Sequence, residues 1–330
     1  MQTKSIKWGI IGAGDVCEVK SGPGFQKAAN SELVAVMRRD GEKAKDFAQR
    51  HGVPNWSTNA EELFDASGID AIYVATPPAH HLEYTRKALA AGKHVYVEKP
   101  MALDAREALE ICELERASGG KVCVAHYRRQ LPLYQRIESI LRGGELGSPR
   151  LVSIKLIKTA PKQDDTSSAN WRLQPTLSGG GLFHDLAPHQ IDLLLKYFGE
   201  PEIAEGFSLR RAANSTCDDC VIGQMRFDGD VVFQGYWDFA SPVDGDSESC
   251  RIECDKGVIE FGFFESTTVT VNTEQGSETF SEEPPAHIAQ PLIEEVNRYF
   301  LGEAENPCSA QVGWKVMEII DAFTRPRKVT

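Results

Sequence analysis

Short apolar runs alternate with amphipathic stretches through residues 1–125 of the chain. The apolar runs predict β-strands at 6–11, 33–37, 71–75, 94–97 and 122–125. The amphipathic stretches predict helices at 59–66, 80–91 and 105–117, and Asp104 followed by Glu107 is typical of a capping box. Because strands and helices alternate across short connections, the pattern predicts a doubly wound parallel sheet.

The pattern changes after Tyr127, where strand-like segments become longer and follow one another directly. The elements predicted first are a helix at 131–141, a strand at 151–158, a polar loop at 161–174 and a helix at 185–198. Strands at 203–211, 219–227, 231–239, 248–254 and 257–263 follow, and then helices at 290–301 and 310–323. Asp228-Gly229-Asp230 and Asp255-Lys256-Gly257 are typical of hairpin turns. The sequence therefore predicts two domains, an α/β domain of Rossmann type at 1–125 and an α+β domain at 126–330 on a mostly antiparallel open sheet.

The formal net charge of −12 excludes two classes of partner. Neither a nucleic-acid backbone nor an anionic membrane surface attracts an acidic protein, so we expect neither to bind. The first residues lack the basic and long apolar segments of a secretory signal. No run approaches the ~18 apolar residues of a membrane-spanning helix. We therefore expect a cytoplasmic protein.

Eight cysteines are scattered along the chain, several of them in apolar strand-like runs. Cys217 and Cys220 form a C-x-x-C motif, but no second such motif or histidine pair accompanies it to complete a zinc site. We therefore expect reduced, mostly buried thiols and no metal ion.

A glycine-rich turn follows the first predicted strand. Gly12 and Gly14 match the first two glycines of the dinucleotide-binding fingerprint, whereas Cys17 stands in place of the third. Gly12 permits the tight turn, and Gly14 lets a pyrophosphate approach backbone amides where the next helix begins. The residues predicted to hold the dinucleotide here are Gly12, Ala13, Gly14, Asp15 and Val16.

Two arginines stand where the second predicted strand ends. Arg38 occupies the place of the acidic residue that holds the adenosine ribose in NAD-binding proteins. A guanidinium can pair with a 2′-phosphate and stack on adenine, so Arg38, with Arg39 beside it, favours NADP(H) over NAD(H). The alternative is that Arg38 is solvated and that Asp40 holds the ribose of NAD(H).

Candidate chemical groups occur at three further places in the chain. Thr76-Pro77-Pro78 and Glu98-Lys99-Pro100 each follow a predicted strand, so both lie at the carboxyl edge of the sheet, where open α/β folds bind ligands. Three glycines at 179–181 lead into an apolar segment that carries Asp185 and His189 four residues apart. On a helix this spacing puts both side chains on one face. A carboxylate, an imidazole and the Lys99 ammonium would together form a proton-transfer set.

Taken in order, these motifs resemble the Gfo/Idh/MocA family, the group of glucose–fructose oxidoreductase and inositol dehydrogenase. The resemblance covers nearly the whole chain. Its motifs are the Gly12/Gly14 turn, Thr76-Pro77 with His81, Gly92-Lys93-His94-Val95 before Glu98-Lys99-Pro100, Tyr127-Arg128-Arg129, Trp171-Arg172, and Asp185-x-x-x-His189-x-x-Asp192. The resemblance implies hydride transfer between a nicotinamide cofactor and a secondary alcohol or ketone of a sugar, polyol or related carbohydrate.

The family's functional residues carry over to matching positions of this chain. The resemblance assigns catalysis to Lys99, Asp185 and His189. It assigns cofactor contacts to Thr76, Pro77, Pro78, His81, Glu98 and Lys99. Substrate contacts are expected from Lys99, Tyr127, Arg128, Trp171, Arg172, Asp185 and His189, since aromatic faces suit C–H surfaces and arginine forks suit hydroxyls. For the aromatic and arginine members the alternative is packing between domains. The resemblance also implies a homodimer or homotetramer formed through the second-domain sheet.

The chemistry of alcohol oxidation agrees with these roles. His189 is suited to take the hydroxyl proton, because imidazole titrates near neutral pH. Lys99 would donate to the same oxygen and stabilise its developing negative charge. Asp185 would position a hydroxyl or orient the imidazole. Asp192 either orients His189 or is a surface acid, and the role of His184 stays open.

Two other functions remain as alternatives. A glycosidase of this fold oxidises a sugar transiently on tightly held NAD and then eliminates the aglycone. The glycine–histidine insert usual in such glycosidases is not evident here, and Arg38 argues against this function because it favours NADP(H). A non-catalytic sensor would bind the dinucleotide and regulate a partner, but sensors of this fold tend to lose the lysine or histidine kept here as Lys99 and His189. The identity of the substrate depends on loops such as 159–174.

Overall fold

The structure, a computed structural model, describes residues 4–160, 170–213, 215–242 and 245–325. Its residues form two compact units. The first unit contains the chain up to Gln130 together with Pro285–Trp314, and the second contains Leu131–Pro284 and the residues from Lys315 onward. Residues 161–169, which make up most of the predicted polar loop, lie outside the described residues.

The strands of the first unit are β1 (Ile6–Ile11), β2 (Ser31–Met37), β3 (Asn55–Ser57), β4 (Ala71–Val74), β5 (His94–Val97) and β6 (Val122–Val124). Those of the second unit are β7 (Pro149–Thr159), β8 (Ile203–Leu209), β9 (Cys220–Arg226), β10 (Val232–Ser241), β11 (Ser247–Cys254), β12 (Gly257–Phe261), β13 (Thr268–Thr273) and β14 (Gly276–Ser281).

The α-helices are α1 (Asp15–Val19), α2 (Gly22–Lys27), α3 (Gly41–His51), α4 (Glu61–Asp65), α5 (His81–Ala90), α6 (Ala105–Ala117), α7 (Pro132–Gly143), α8 (Pro175–Ser178), α9 (Leu182–Phe198), α10 (Gln290–Phe300) and α11 (Ala310–Thr324). Short 3-10 helices occur at Pro78–His80, Tyr127–Gln130, Trp171–Leu173 and Asp228–Asp230.

The sheet of the first unit is parallel throughout, in the order β3-β2-β1-β4-β5-β6. The strand order reverses between β1 and β4, and open sheets of this kind bind ligands at the carboxyl end of such a switch point. The two strands end level, because Ile11 pairs with Val74. The predicted doubly wound domain is therefore confirmed, and the turns after β1, β4 and β5 share one edge.

Side-chain caps fix two of the helices around this sheet. The carboxylate of Asp104 accepts a hydrogen bond from the backbone N–H of Glu107 at 2.9 Å, as the predicted capping box requires. The Glu107 carboxylate in turn accepts a hydrogen bond from the backbone N–H of Leu103, one residue before the cap, at 3.2 Å. Helix α3 was not predicted from the sequence. It begins at the Asp40 cap, whose side chain accepts from Lys43 N at 3.2 Å.

The core of the first unit is aromatic. Trp8 is fully buried and lies 4.7 Å from Phe25, measured between ring centroids. The indole Nε1 donates to Asn297 on α10 at 3.0 Å, and Asn297 also donates to the carbonyl of Ala29 at 2.9 Å. These contacts explain why Pro285–Trp314 belongs to the first unit, whereas the sequence analysis assigned all of 126–330 to the second domain.

The sheet of the second unit has the order β14-β13-β12-β11-β7-β10-β9-β8. Only β7 and β10 pair parallel among its described strands, so the predicted mostly antiparallel sheet is confirmed. Helix α9 is joined to β10 by a buried hydrogen bond of 2.6 Å from Trp237 Nε1 to Gln190 Oε1. Phe183 at the start of α9 packs edge-on against the same indole. This packing fixes the helix that carries Asp185 and His189.

Candidate active site

The turn after β1 brings two glycines to the carboxyl edge of the first sheet. Gly12 has a φ of +88°, and a Cβ atom there would lie 2.9 Å from the backbone nitrogen of Thr76, so only glycine fits. A Cβ atom at Gly14 would meet only the Gly12 carbonyl oxygen, at 3.8 Å, within the described chain. The backbone at Gly14 is therefore open to a ligand, as a bound pyrophosphate requires.

The residues after this turn form the start of α1. Asp15 is exposed and Val16 is half-buried, whereas Cys17 is fully buried. Burial raises the pKa of the Cys17 thiol to about 12, so the sulfur stays protonated at neutral pH. Cys17 therefore replaces the third fingerprint glycine as a packing residue without thiolate chemistry.

Arg38 lies against the glycine turn. Its Nη1 atom donates to the carbonyl oxygen of Ala13 at 3.1 Å, which holds the half-buried guanidinium beside Gly12 and Gly14. Arg39 is exposed at the same strand end. Asp40, the alternative ribose-binding residue, uses its carboxylate to cap α3 and lies 3.7 Å from the Lys43 ammonium.

His81 connects the two loops that follow β4 and β5. Its Nε2 atom lies 2.7 Å from the carbonyl oxygen of Thr76, and its Nδ1 atom lies 3.0 Å from that of Pro100. The ring is fully buried, and burial lowers the pKa of His81 to about 4, although the carbonyl contacts oppose this shift. Both ring nitrogens thus face protein carbonyl groups. This geometry holds the two loops together, and the cofactor contact of His81 that the resemblance implies stays a prediction.

Thr76 and the two prolines after it form the end of this loop. Pro78 is buried and Pro77 is half-buried. The hydroxyl oxygen of Thr76 is buried and has no hydrogen-bond partner among the described residues. A buried polar group of this kind is normally satisfied, so this hydroxyl at the switch point fits contact with a bound dinucleotide.

Glu98 and Lys99 follow β5 at the same edge. One carboxylate oxygen of Glu98 accepts a hydrogen bond from the Tyr73 hydroxyl, and the other accepts from the backbone N–H of Lys99 at 3.1 Å. Burial raises the pKa of Glu98 above its usual value, while the Tyr73 bond and the Lys99 charge oppose the rise. Tyr73 is a fully buried strand residue, so this pair fixes the backbone from which Lys99 projects.

Tyr127 and Arg128 lie in the 3-10 helix after β6. Tyr127 is 8% exposed, and the guanidinium carbon of Arg128 lies 5.5 Å from the centroid of the Tyr127 ring. The two predicted substrate-binding residues are therefore in contact with each other in the first unit.

Backbone conformation and close packing explain why glycines occupy positions 179–181 before α9. Gly179 and Gly181 have φ values of +89° and +81°, which side chains rarely adopt. A Cβ atom at Gly180 would lie 2.2 Å from Nδ1 of His184, so that imidazole packs directly on the glycine backbone. Burial lowers the pKa of His184 to about 4. His184 is therefore a neutral packing residue at the start of the helix.

Asp185 is joined to the 3-10 helix that precedes α8. Oδ2 of Asp185 accepts a hydrogen bond from Nε of Arg172 at 3.1 Å. The guanidinium of Arg172 also lies 4.5 Å from the Trp171 ring centroid, within the range of a cation–π contact. Three predicted substrate residues thus form one connected group in the second unit.

His189 lies one helical turn after Asp185 and is 5% exposed. The ring of Phe264 meets it edge-on, with the centroids 6.1 Å apart. Pro188 precedes His189 inside the helix and cannot donate the N–H that the His184 carbonyl would receive in a regular helix. Asp192 is 1% exposed, so the alternative of a surface acid at this position is wrong.

The predicted residues are thus divided between the units. The first unit carries the predicted cofactor residues with Lys99, Tyr127 and Arg128, and the second carries Trp171, Arg172, Asp185 and His189. Sequence reasoning missed Tyr73, Phe264 and Glu248, whose carboxylate binds backbone N–H groups beside Phe264. Tyr73 and Phe264 occur in apolar runs that are typical of core, so no local signal separates them from packing residues.

The described part of the chain contains neither a metal-binding cluster nor a membrane-spanning helix. No cluster of three or more His, Cys, Asp or Glu side chains is arranged to hold a metal ion there. The eight cysteines are free, and all but Cys254 are buried. None of the described helices has the length and apolar character needed to cross a membrane.

Comparison with protein families gives two matches that together cover most of the chain. Residues 6–126 match the Gfo/Idh/MocA oxidoreductase family, NAD-binding Rossmann fold. Residues 134–260 match the Gfo/Idh/MocA C-terminal domain.

Individual relatives agree with these matches. An oxidoreductase of Formosa agariphila is 45% identical over 96% of this chain and 98% of its own length. A 1,5-anhydro-D-fructose reductase of Ensifer adhaerens is 28% identical over 69% of this chain and 68% of its own length.

Solved structures share the fold at lower identity. A putative NADPH-dependent oxidoreductase of Desulfitobacterium hafniense has a TM-score of 0.87 at 18% identity, over 97% of this chain and 95% of that one. A levoglucosan dehydrogenase in complex with NADH and levoglucosan has a TM-score of 0.83 at 21% identity, over 97% and 96% of the two chains. From the two family matches and the 45% identical relative, this chain is an oxidoreductase with an NAD-binding Rossmann domain and belongs to the Gfo/Idh/MocA family.

Proposed function

We propose that this oxidoreductase uses NADP(H) to interconvert a secondary alcohol and a ketone on a sugar, polyol or related carbohydrate. The observation that carries the proposal is the arrangement on α9, where Asp185, paired with Arg172, precedes the nearly buried His189 by one helical turn. Relatives named as a 1,5-anhydro-D-fructose reductase and a trans-1,2-dihydrobenzene-1,2-diol dehydrogenase support a hydroxylated ring as substrate.

In the direction of oxidation, the imidazole of His189 takes the proton from the substrate hydroxyl. The Lys99 ammonium donates a hydrogen bond to the same oxygen and stabilises the negative charge that develops there. Asp185, held by Arg172, accepts a hydrogen bond from a neighbouring hydroxyl and orients the ring. A nicotinamide cofactor held by the Gly12–Gly14 turn and the loops after β4 and β5 would supply the hydride acceptor, or the hydride donor in the reverse direction. A positioned acid–base group of this type contributes about 100- to 10,000-fold in rate.

The preference for NADP(H) is supported by the surroundings of Arg38. Its guanidinium is held at the glycine turn by the Ala13 carbonyl, and Arg39 adds a second positive charge at the same strand end. Asp40 is engaged as a helix cap, which disfavours the alternative in which it holds the ribose of NAD(H). A guanidinium forms charge-assisted hydrogen bonds with a phosphate.

The chain is proposed to form a homodimer or homotetramer through the exposed sheet face, defined here by Ile203, Phe207, Leu209, Ile222 and Val232. These side chains are 37% to 47% exposed and lie on the adjacent strands β8, β9 and β10. Phe207 pairs with Ile222 across the two strands, whereas Ile203 and Val232 both lie beside Arg226 on the same face. Several large apolar side chains exposed on one sheet face, with polar residues around them, are typical of an interface.

The proposed function is tested with a panel of sugars, cyclic polyols and acyclic polyols, assayed by the absorbance of reduced nicotinamide with NADP(H) and with NAD(H). We expect turnover of at least one carbohydrate, with higher kcat/KM for NADP(H). Turnover with NAD(H) alone would refute the cofactor assignment, and no turnover of any carbohydrate with either cofactor would refute the substrate class.

A further inference from the structure

We propose that Phe264 forms the apolar wall of the substrate site beside His189 and selects ring-shaped carbohydrates, and that Glu248 holds it there as a positioning residue. This inference rests on the proposed function and specifies the substrate class further. Phe264 is half-buried, whereas the His189 ring that it meets at 72° is almost fully buried. Phe264 therefore covers part of the imidazole, and part of its own side chain stays accessible.

Glu248 fixes the backbone of the loop that carries Phe264. Its two carboxylate oxygens both lie 2.8 Å from the backbone nitrogen of Phe264, and Oε1 lies 2.9 Å from that of Glu265. A Cβ atom at Gly262 would lie 3.0 Å from the same Oε1, so the absence of a side chain there lets the carboxylate approach the loop closely. A charged acceptor bound by two successive N–H groups holds this part of the loop in one orientation.

A second contact fastens the other side of the loop. Nζ of Lys158 on β7 lies 3.1 Å from Oε1 of Glu265 and 3.1 Å from Oδ2 of Asp246. Asp246 also accepts hydrogen bonds from the backbone and the hydroxyl of Thr159. The loop is therefore tied to β11 through Glu248 and to β7 through Lys158.

The residue before Phe264 shows that the loop has an inner and an outer side. Phe263 is 3% exposed and packs 5.3 Å from the Tyr134 ring, and its carbonyl accepts a hydrogen bond from the Tyr134 hydroxyl. Phe263 thus anchors the loop in the core of the second unit. The Phe263 ring also lies 5.2 Å from the Phe264 ring, measured between centroids, so the anchored residue supports the ring that meets His189.

An aromatic ring next to a proton acceptor selects substrates by shape. The C–H face of a closed sugar or cyclitol ring packs flat on an aromatic face, whereas an acyclic polyol has to be ordered before it covers the same surface. We therefore assign cyclic carbohydrates as the preferred class and expect Phe264 to contribute mainly to substrate affinity.

The first test compares Phe264→Leu and Glu248→Ala with the wild type, using Phe280→Leu and Glu278→Ala as matched controls. Phe280 is a half-buried phenylalanine on β14 that contacts Arg136 instead of α9, and Glu278 is exposed on the same strand. We expect both test variants to raise KM for cyclic substrates about tenfold or more. Affinity for the reduced cofactor, measured by its fluorescence, stays unchanged. Phe264→Tyr keeps an aromatic ring at this position, so we expect it to keep the wild-type ratio of kcat/KM for cyclic over acyclic substrates.

The second test does not depend on turnover. Diethyl pyrocarbonate modifies accessible imidazoles, and mass spectrometry reports the modification of His189 separately from that of His184, which is equally buried on the same helix. We expect faster modification of His189 in Phe264→Leu and Glu248→Ala, with His184 unchanged as an internal control. Equal modification of His189 in the wild type and in Phe264→Leu would overturn the inference, and so would an unchanged cyclic-to-acyclic ratio. Absence of wild-type turnover on every carbohydrate would count against the proposed function, while the modification rates would still decide whether Phe264 covers His189.

Discussion

Nε of Arg172 donates a hydrogen bond to Oδ2 of Asp185 across 3.1 Å. The Asp185 side chain is 16% exposed and that of Arg172 is 44% exposed, so the pair lies at the border between protein and solvent. A carboxylate held in this way has a fixed orientation, and carboxylate oxygens can each accept more than one hydrogen bond. The pair therefore links the predicted substrate arginine to the helix that carries His189.

Replacing Arg172 separates an effect on activity from an effect on stability. Because the pair is partly solvated, Arg172→Ala is expected to change the free energy of unfolding by less than about 1 kcal/mol. The loss of orientation at Asp185 is expected to lower kcat/KM for the substrate on the order of 100-fold. Urea unfolding and steady-state kinetics measure the two effects.

A matched control for Arg172 is Arg142→Ala, which removes an ion pair with Glu138 on α7. It should leave kcat/KM near the wild-type value. If Arg172→Ala keeps full activity, the substrate-binding role of the Arg172–Asp185 pair is wrong.

The raised pKa of the buried Glu98 carboxyl should make the free energy of unfolding depend on pH. Burial raises the pKa of Glu98 in the folded protein, so the folded state holds the proton more tightly than the unfolded chain. The protonated carboxyl therefore stabilises the folded state at low pH. This stabilisation is lost as the pH rises through the folded-state pKa. Glu98→Gln carries no such proton. Its free energy of unfolding should therefore improve relative to the wild type as the pH rises above the unfolded-chain pKa of about 4, measured by urea unfolding.

Tyr73→Phe tests the cause of that pH dependence. Removing the hydroxyl that donates to Glu98 raises the pKa of Glu98 further, so the loss of stability with pH should move to higher pH. Tyr96→Phe is the matched control, because its buried hydroxyl has no hydrogen-bond partner among the described residues. The assignment fails if the two variants show the same pH profile.

Arg38 is expected to determine the choice of cofactor. Arg38→Ala removes a charge-assisted contact to the 2′-phosphate, which corresponds to about a 10- to 100-fold loss in kcat/KM with NADPH. The value with NADH should change little. Lys45→Ala, which removes an exposed charge on α3, controls for the general effect of charge. Equal losses with both cofactors in Arg38→Ala would contradict this role.

The exposed sheet face is tested through oligomeric state. In a two-fold symmetric interface each substitution occurs twice, so Phe207→Glu brings two charges into an apolar contact. Sedimentation velocity at micromolar concentration should show a dimer or tetramer for the wild type and a monomer for Phe207→Glu. A monomeric wild type would refute the proposed assembly.

Much of the fold was predictable because hydrophobic periodicity reports burial directly. Strands β1 and β5 and helix α6 begin and end where the sequence predicts. Helix α9 begins at Leu182, before the predicted residue 185, because the helix follows directly from the positive-φ Gly181. Strands β13 and β14 lie beyond the last strand that the sequence predicts, at 257–263. Strand β14 is exposed along most of its length and has no alternation of apolar and polar residues, so it gives no sequence signal.

The sequence was enough to predict which residues belong to the candidate site, but not the contacts that hold them. Spacing was enough to put Asp185 and His189 on one helix, and the strand ends indicated where Gly12, Thr76 and Lys99 would lie. Contacts between residues distant in sequence had no local signal. Tyr73 meets Glu98 because β4 and β5 pair in register, and Glu248 meets Phe264 through a loop between other strands. For the same reason, the return of α10 to the first unit was not predicted.

The most direct test of the proposed function is the rate of carbohydrate-dependent NADP(H) turnover in the wild type, Lys99→Met and His189→Asn, with binding of NADPH measured by its fluorescence. We predict wild-type turnover on at least one cyclic carbohydrate, and a loss of kcat by about 100-fold or more in each variant with NADPH binding retained. Unchanged turnover in either variant, or NADPH binding without turnover of any carbohydrate by the wild type, would contradict the proposed dehydrogenase mechanism.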